Sequence, residues 1–98
     1  MDFSDALRAV KHGCSIQRKG WNGKDLQVWA QYPDNNSKMT LPYLYIEYPP
    51  GKVPVGFAGV EGAKCPWLAS QTDIMADDWV IVSKPSAVQV EKSHIKTN

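Results

Sequence analysis

The side chains best suited to chemistry lie in one stretch, Pro66 to Trp79, which carries two indoles, two hydroxyls, an amide and three aspartates. Ser70 and Asp73 have the spacing of a capping box, in which the serine oxygen accepts the backbone N–H three residues on. This spacing predicts a short helix that begins near Ser70, although Thr72 is a competing cap. A helix start beside an indole, hydroxyls and an amide suits a polar ligand that contains a flat ring.

Catalysis is a weaker interpretation of the same stretch. Asp73, Asp77 and Asp78 form the only carboxylate cluster in the sequence, and Asp77 and Asp78 are adjacent, so they point to different sides of a helix. The residues that could supply a nucleophile or a metal ligand are isolated in the sequence: Cys14, Cys65, His12 and His94. A zinc site needs four closely spaced nitrogen or sulfur ligands. We therefore predict no metal, no cofactor and no enzymatic activity.

Length and charge narrow the class of protein. A chain of 98 residues forms one domain with a modest core, which self-association would extend. The net charge is +1 and the isoelectric point is near 7.8, whereas nucleic-acid-binding domains usually exceed about 9. No apolar run approaches the roughly 20 residues of a membrane span, and the N-terminus lacks a signal-peptide pattern. We expect a soluble intracellular protein that binds neither DNA, RNA nor membranes.

Hydrophobic periodicity predicts the elements that must position the Pro66–Trp79 stretch. A period of 3.6 predicts an N-terminal helix over residues 2–12, capped by Asp2 and ended by Gly13. Alternating or short apolar runs predict strands over 14–18, 26–32, 41–48 and 79–82. Residues 49–64 are rich in proline and glycine, and we expect them to form a long surface loop.

The predicted fold is α+β. It consists of an N-terminal helix packed on a small antiparallel sheet of about four or five strands, with a second short helix before Trp79. We assign residues 1–98 to a single domain and expect it to assemble as a homo-oligomer. Residues 83–98 form a C-terminal extension, in which Val88 and Val90 could add a short strand before a frayed end.

Two further indoles each leave two interpretations open. Trp21 precedes Asn22-Gly23, a strong hairpin signal, and it either covers the edge of the core or forms an exposed platform for stacking. Trp29 lies on the polar face of its strand, where its side chain would be exposed to solvent in a monomer. It is therefore either a subunit contact or the wall of a pocket.

Several motifs together resemble a known family. They are Ala6-Leu7, Arg18-Lys19-Gly20-Trp21-Asn22-Gly23, Pro42-Tyr43-Leu44-Tyr45, Pro66-Trp67-Leu68-Ala69-Ser70-Gln71-Thr72-Asp73 and Ala76-Asp77-Asp78-Trp79. The pattern resembles the small phage family of Thoeris anti-defence proteins of the second type, long known only as a domain of unknown function. The resemblance spans Phe3 to Val82, and the segments around Trp21 and from Pro66 to Trp79 are its most specific parts.

The resemblance implies a non-enzymatic sponge that acts in the cytoplasm of the infected bacterial host. Such proteins bind the cyclic ADP-ribose isomer made by a bacterial TIR-domain enzyme and keep it intact, so that the Thoeris effector is not activated. The family forms homotetramers with pockets between subunits, and some relatives hold cyclic di- or trinucleotides of CBASS systems at separate sites. This sequence departs from the family in its longer loop between Tyr48 and Pro66.

The resemblance also indicates which residues contact the ligand. It places Trp21, Asn22 and the string from Trp67 to Asp73 on the ligand-contacting segments of the family. Adenine needs an aromatic face, from Trp21 or Trp67 with Tyr45 and Trp29 behind them, and ribose needs acceptors and amides. For the pyrophosphate we expect the N–H groups at Thr72-Asp73, with Arg18 or Lys24. The predicted ligand-binding set is Trp21, Asn22, Lys24, Tyr45, Trp67, Leu68, Ser70, Gln71, Thr72 and Asp73. A hydrolase of the same signals and a structural adaptor that binds no nucleotide remain the alternatives.

Overall fold

The computed structural model describes residues 1–21, 25–52, 56–57 and 59–85. The elements in chain order are α1 (Phe3–Lys11), β1 (Ser15–Arg18), a 3-10 turn (Lys19–Trp21), β2 (Gln27–Gln31), β3 (Tyr43–Glu47), β4 (Lys64–Pro66), α2 (Gln71–Met75) and β5 (Trp79–Ser83). The α+β class, with an N-terminal helix, an antiparallel sheet and a second short helix, is confirmed. Within the described ranges, no helix is both long and apolar enough to cross a membrane.

The helix α1 forms where its sequence provides both end signals. The Asp2 side chain caps the first turn by accepting the N–H of Asp5 at 2.9 Å. Gly13 follows the last turn with a φ of +101°. This left-handed conformation is sterically less favourable for any residue that has a Cβ than it is for glycine. Ala6 and Val10 are fully buried, so this face of α1 packs onto the sheet.

The described residues form a five-stranded antiparallel sheet in the order β4-β3-β2-β1-β5. The first four strands follow one another as a meander, and β5 returns to pair with β1. The segment from β4 to β5, which contains α2, therefore leads from one edge of the sheet to the other. This crossing brings α2 into contact with α1 and sets the place of the Pro66–Trp79 stretch.

One face of the sheet carries the core beneath α1. The core consists of Ala6, Val10, Ile16, Val28, Ile46 and Trp79. Trp79 is fully buried, and its ring lies 5.5 Å from that of Phe3. The opposite face carries Trp29 and Tyr45, which are paired across β2 and β3 and alternate with buried Val28 and Ile46. Trp29 is only half-buried, and its indole N–H donates to Glu47 at 2.8 Å.

The strands differ from the sequence prediction mainly in extent. The second and third strands are shorter than predicted. The strand β4 (Lys64–Pro66) was not predicted: it begins at the last residue of the predicted loop and ends at the first residue of the Pro66–Trp79 stretch. Hydrophobic alternation could not indicate β4, because its three residues are exposed and β3 is its one partner among the strands of the described ranges. The hairpin signal at Asn22-Gly23 and the strand suggested at Val88 and Val90 lie outside the described residues.

The short helix α2 has the predicted capping box. Ser70 is the N-cap: its Oγ accepts the Asp73 N–H at 3.1 Å, while the Asp73 carboxylate accepts the Ser70 N–H at 3.0 Å. Thr72 is therefore not the cap and lies inside the helix. With five residues, α2 is too short to be stable alone, so its cap and its tertiary contacts must hold it in place.

Candidate functional site

Three tryptophans from distant parts of the sequence meet at the end of the core. We call Trp21, Trp67 and Trp79 the indole cluster. Ring centroids are 5.6 Å apart for Trp21 and Trp79, 6.1 Å for Trp67 and Trp79, and 6.4 Å for Trp21 and Trp67. Every pair is edge-to-face, an arrangement that aromatic quadrupoles favour. Trp79 is buried, whereas Trp21 and Trp67 are half-buried and form the accessible part of the cluster.

An ion-pair network lies beside the indole cluster and joins β1 to α2 and to the residue before β5. We call its members, Arg18, Asp73 and Asp78, the clasp. The Arg18 guanidinium donates from Nε to Asp78 at 2.9 Å and from Nη1 to Asp73 at 3.0 Å. Its side chain is only 22% exposed, so these contacts are screened less than a surface pair would be.

Backbone groups connect the clasp to the indole cluster. The Trp79 indole N–H donates to the backbone oxygen of Asp73 at 2.9 Å. The carboxylate of Asp78 accepts the Gly20 N–H at 3.1 Å, and its backbone oxygen accepts the Lys19 N–H at the same distance. The turn that carries Trp21 is thus attached to the residue that precedes Trp79.

The clasp keeps its two carboxylates ionised. Hydrogen bonding from Arg18, with a further contribution from the Gly20 amide, places the pKa of Asp78 below its ordinary value of 3.8. Burial opposes ionisation of Asp73, but the hydrogen bonds from Ser70 and Arg18 outweigh it, so the pKa of Asp73 is also lowered. The contacts with Asp78 and Asp73 in turn raise the pKa of Arg18.

Two side chains with predicted ligand-binding roles have partners within the chain, and their roles toward a ligand stay predictions. Arg18 was a candidate for binding the pyrophosphate, but its charge is already balanced by two carboxylates. Asp73 was a candidate acceptor for the ligand, but one of its oxygens binds Arg18 and the other binds the Ser70 N–H. Each side chain first serves to hold α2 against β1.

The polar string of the predicted set lies on the outside of this arrangement. Leu68 is 91% exposed, and Gln71 and Thr72 are exposed on the first turn of α2. The hydroxyls of Ser70 and Thr72 lie 3.0 Å apart and share a hydrogen bond. The half-buried Trp67 thus precedes the N-cap of α2 by three residues, and the hydroxyl and amide groups of this first turn are exposed.

Tyr45 is not part of that surface. It lies on the face of the sheet opposite the core, beside Trp29, whereas the indole cluster packs against the core. Burial, with smaller contributions from Glu47 and Tyr43, raises the pKa of Tyr45 above its ordinary value of 10.0. It lines a separate cavity of about 260 Å³ together with Gln31, Tyr43, Lys64, Cys65 and Pro66. Asn22 and Lys24, the remaining members of the predicted set, lie outside the described residues.

Asp78 is the residue at this site that the sequence analysis did not single out for a role. Its side chain binds Arg18 and Gly20, residues that precede it by 60 and 58 positions. Its sequence signals were its place in the carboxylate cluster and its position before Trp79 in a motif shared with the family. Local spacing could not indicate its partners, because they depend on the pairing of β1 with β5.

The fold and the indole cluster define a small α+β domain built around an aromatic surface site. The family model described as Thoeris anti-defense 2-like domain matches residues 1–82, so the chain belongs to this family. Its similarity to Thoeris anti-defense 2 of Bacillus phage SP01 is 33% identity over 85 residues, covering 85% of this chain and 96% of that relative. The resemblance found in the motifs is confirmed, and it indicates a role in phage anti-defence.

Proposed function

We propose that this protein binds the cyclic ADP-ribose isomer made by a bacterial TIR-domain enzyme and holds it intact in the host cytoplasm, so that the Thoeris effector is not activated. The observation that carries the proposal is the accessible edge of the indole cluster, formed by the half-buried Trp21 and Trp67, with the exposed polar residues of α2 beginning three residues after Trp67. Membership of the Thoeris anti-defense 2-like family supports it.

The chemistry of the surface suits the nucleoside part of such a ligand. A base stacked on an aromatic side chain contributes about 1–3 kcal/mol. Trp21 and Trp67 stand at 77° to each other, so a base on the face of one indole meets the other at its edge. Ser70, Gln71 and Thr72 offer hydroxyl and amide groups for the ribose hydroxyls.

The charge of the clasp sets the orientation of the ligand. One guanidinium between two carboxylates leaves the clasp with net negative charge, which repels phosphate. The pyrophosphate is therefore turned away from Asp73 and Asp78. Lys24, or cations of a neighbouring subunit, then hold it.

The same carboxylates argue against turnover of the ligand. A general base works best with a pKa near the operating pH and must reach the water it activates. The pKa values of Asp73 and Asp78 lie below the ordinary carboxylate value, and both side chains are held by Arg18. Binding without hydrolysis is the better use of this arrangement.

A homotetramer with pockets between subunits completes the site. A ligand of this size needs a pocket of roughly 300–1,000 Å³, which one small domain encloses with difficulty. The surface beside Trp21 and Trp67 is open in the single chain, and a second subunit is what closes it. Trp29, half-buried on the uncovered face of the sheet, is the best candidate for a subunit contact.

The cavity at Tyr45 favours a second, separate ligand. It combines two tyrosines and the Gln31 amide, groups suited to a base, with the Lys64 ammonium, which lies 3.6 Å from the Glu47 carboxylate. Cyclic di- or trinucleotides of CBASS systems are the class we assign to it. Tyr45→Ala should then weaken binding of a cyclic dinucleotide and leave binding of the cyclic ADP-ribose isomer unchanged.

The test of sequestration is recovery of the ligand. The protein is incubated with an equimolar amount of the cyclic ADP-ribose isomer, separated by ultrafiltration and heat-denatured, and both fractions are chromatographed. We expect the filtrate to be depleted and the denatured fraction to return the original peak. Linear ADP-ribose, which has the same groups without the ring closure, is the matched ligand control and should stay in the filtrate.

Each of the two alternatives has its own outcome in this experiment. New peaks that grow with incubation time indicate a hydrolase. A filtrate that keeps all of the cyclic ligand indicates an adaptor whose indoles serve only packing. Either result contradicts the proposal.

A further inference from the structure

Asp78 joins three backbone segments that come together only in the folded chain. Its carboxylate accepts from Arg18 of β1 and from the backbone of Gly20 in the 3-10 turn, and its own chain continues into β5. The Lys19 N–H donates to its backbone oxygen. Lys19 and Gly20, the two residues that precede Trp21 in the 3-10 turn, are therefore both hydrogen-bonded to Asp78.

The fit at Gly20 shows how closely the turn approaches the carboxylate. A Cβ added at Gly20 would lie 3.3 Å from Oδ2 of Asp78, tighter than an ordinary contact. The absence of a side chain lets the Gly20 N–H reach that oxygen at 3.1 Å. Trp21 follows immediately, so a shift of Gly20 moves the indole.

We infer that Asp78 is the positioning residue of the site: by holding Arg18 and the Gly20 amide, it sets the angle at which Trp21 faces Trp67 and hence the stacking surface offered to the base. The role of this surface in stacking on a base rests on the proposed function. The effect of Asp78 on the angle between Trp21 and Trp67 does not require a ligand.

The neighbouring aspartate provides a matched control. Asp77 is exposed, and among the described residues its side chain makes no hydrogen bond or ion pair. Asp77→Asn and Asp78→Asn each remove one negative charge, at adjacent positions of the chain. Asp78→Asn keeps one acceptor oxygen for Gly20 but turns an amide group toward the Arg18 guanidinium, and Asp78→Ala removes both acceptors.

The first measurement needs no ligand. Coupled indoles give a far-ultraviolet circular-dichroism band whose size depends on the angle between the rings. We expect the band of Asp78→Asn and of Asp78→Ala to be as small as the band of Trp21→Phe. The band of Asp77→Asn should be as large as that of the parent protein. In the Trp21→Phe background, Asp78→Asn should cause no further reduction, because the two changes act on one contact. An unchanged band in Asp78→Ala overturns the proposal.

The second measurement is the Kd for the cyclic ADP-ribose isomer, taken far below the unfolding temperature so that every variant is folded. We expect Asp78→Asn to raise Kd about tenfold and Asp77→Asn to leave it unchanged. A role in stability alone would lower Tm and leave both the band and Kd at parent values, and this result also overturns the proposal.

A reduced band with an unchanged Kd instead contradicts the use of Trp21 in binding, which belongs to the proposed function. If Asp78→Ala does not fold, Gly20→Ala tests the same contact by crowding the carboxylate. It should likewise reduce the band, and a parent-like band in Gly20→Ala would again overturn the role of Asp78.

Discussion

At the scale of single residues, Trp21 packs on the core, and the proposed function gives it a second role that one substitution cannot separate from the first. Its ring packs edge-to-face on Trp79, and its remaining surface is half-exposed beside Trp67. Removing the side chain therefore removes both a stacking face and part of the support of the core. The sequence analysis had left these two interpretations open, and the structure shows that packing against the core is real.

We expect Trp21→Ala to raise Kd for the cyclic ADP-ribose isomer by about 30- to 150-fold, the equivalent of about 2–3 kcal/mol of base stacking. Trp21→Phe keeps an aromatic face and should lose less. Both values are measured by isothermal titration calorimetry. Tyr32→Ala, which removes an exposed aromatic bonded to the far end of α1, is the control and should bind like the parent. A Kd for Trp21→Ala equal to that of the parent would exclude stacking on this indole.

The clasp gives the protein an acid-sensitive stability. The pKa values of Asp73 and Asp78 are lowered in the folded state, so the stability they contribute is complete above the ordinary value of 3.8 and is lost as pH falls through the lowered values. We expect the free energy of unfolding in urea to fall below about pH 4. Arg18→Gln should reduce this slope, because both carboxylates lose their cation.

Arg8→Gln is the matched control for the pH dependence. Arg8 pairs with Asp5 on the exposed side of α1, where an ion pair contributes little. The substitution Arg8→Gln removes one positive charge, as Arg18→Gln does, but the pH dependence of unfolding should stay the same as in the parent protein. Equal slopes for the parent and Arg18→Gln would show that the clasp does not stabilise the fold.

At the scale of elements, α2 depends on contacts at its ends. Five residues cannot sustain a helix by themselves. Its first turn is held by the capping box, and Asp73 connects it to β1 through Arg18. The exposed residues of this first turn therefore depend on the cap for their position.

We expect Ser70→Ala to lower the free energy of unfolding by about 1 kcal/mol, because the Asp73 N–H loses its acceptor. For a domain of this size, the loss corresponds to a fall in Tm of roughly 4–8 °C. Differential scanning calorimetry measures the shift. Gln71→Ala, at the exposed first position of the same helix, should change stability by only a few tenths of a kcal/mol. Equal effects of the two substitutions would mean that the capping box is not what holds α2.

At the scale of the whole molecule, the sheet has one covered and one uncovered face. The helix α1 covers the side of Val28 and Ile46, whereas Trp29, Tyr43 and Tyr45 lie on the other side. Leu41 and Met39, before β3, are also exposed. Aromatic and apolar side chains of this kind are typical of surfaces that bind another protein.

We expect size-exclusion chromatography with light scattering to give the mass of a tetramer at micromolar concentration. Trp29→Lys should shift the mass to smaller species, because a charge would be buried in the subunit contact. Tyr32→Lys adds the same charge at an exposed position and should leave the assembly intact. A parent protein that elutes as a monomer contradicts the tetramer, and a tetrameric Trp29→Lys would place the contact elsewhere.

The elements of this protein could largely be predicted from its sequence, because their signals are local. The Asp2 cap, the glycine after α1, the capping box of α2 and the apolar run of β5 each involve residues within about one helical turn or a few positions of one another. Motif matches over most of the chain likewise identified the family before any contact was known.

Only the tertiary structure decided which side chains meet. Arg18 contacts Asp73 and Asp78 across 55 and 60 residues, and Tyr45 lies on the face opposite the indole cluster. These relations depend on which strands pair and in which register, and a shift of one residue would turn every side chain of a strand to the other face. Residue types and spacing therefore determined the local elements and the pool of candidate groups. Long-range pairing determined that Arg18 and Asp73 join α2 to β1 and that Trp21 and Trp67 are the accessible members of the indole cluster.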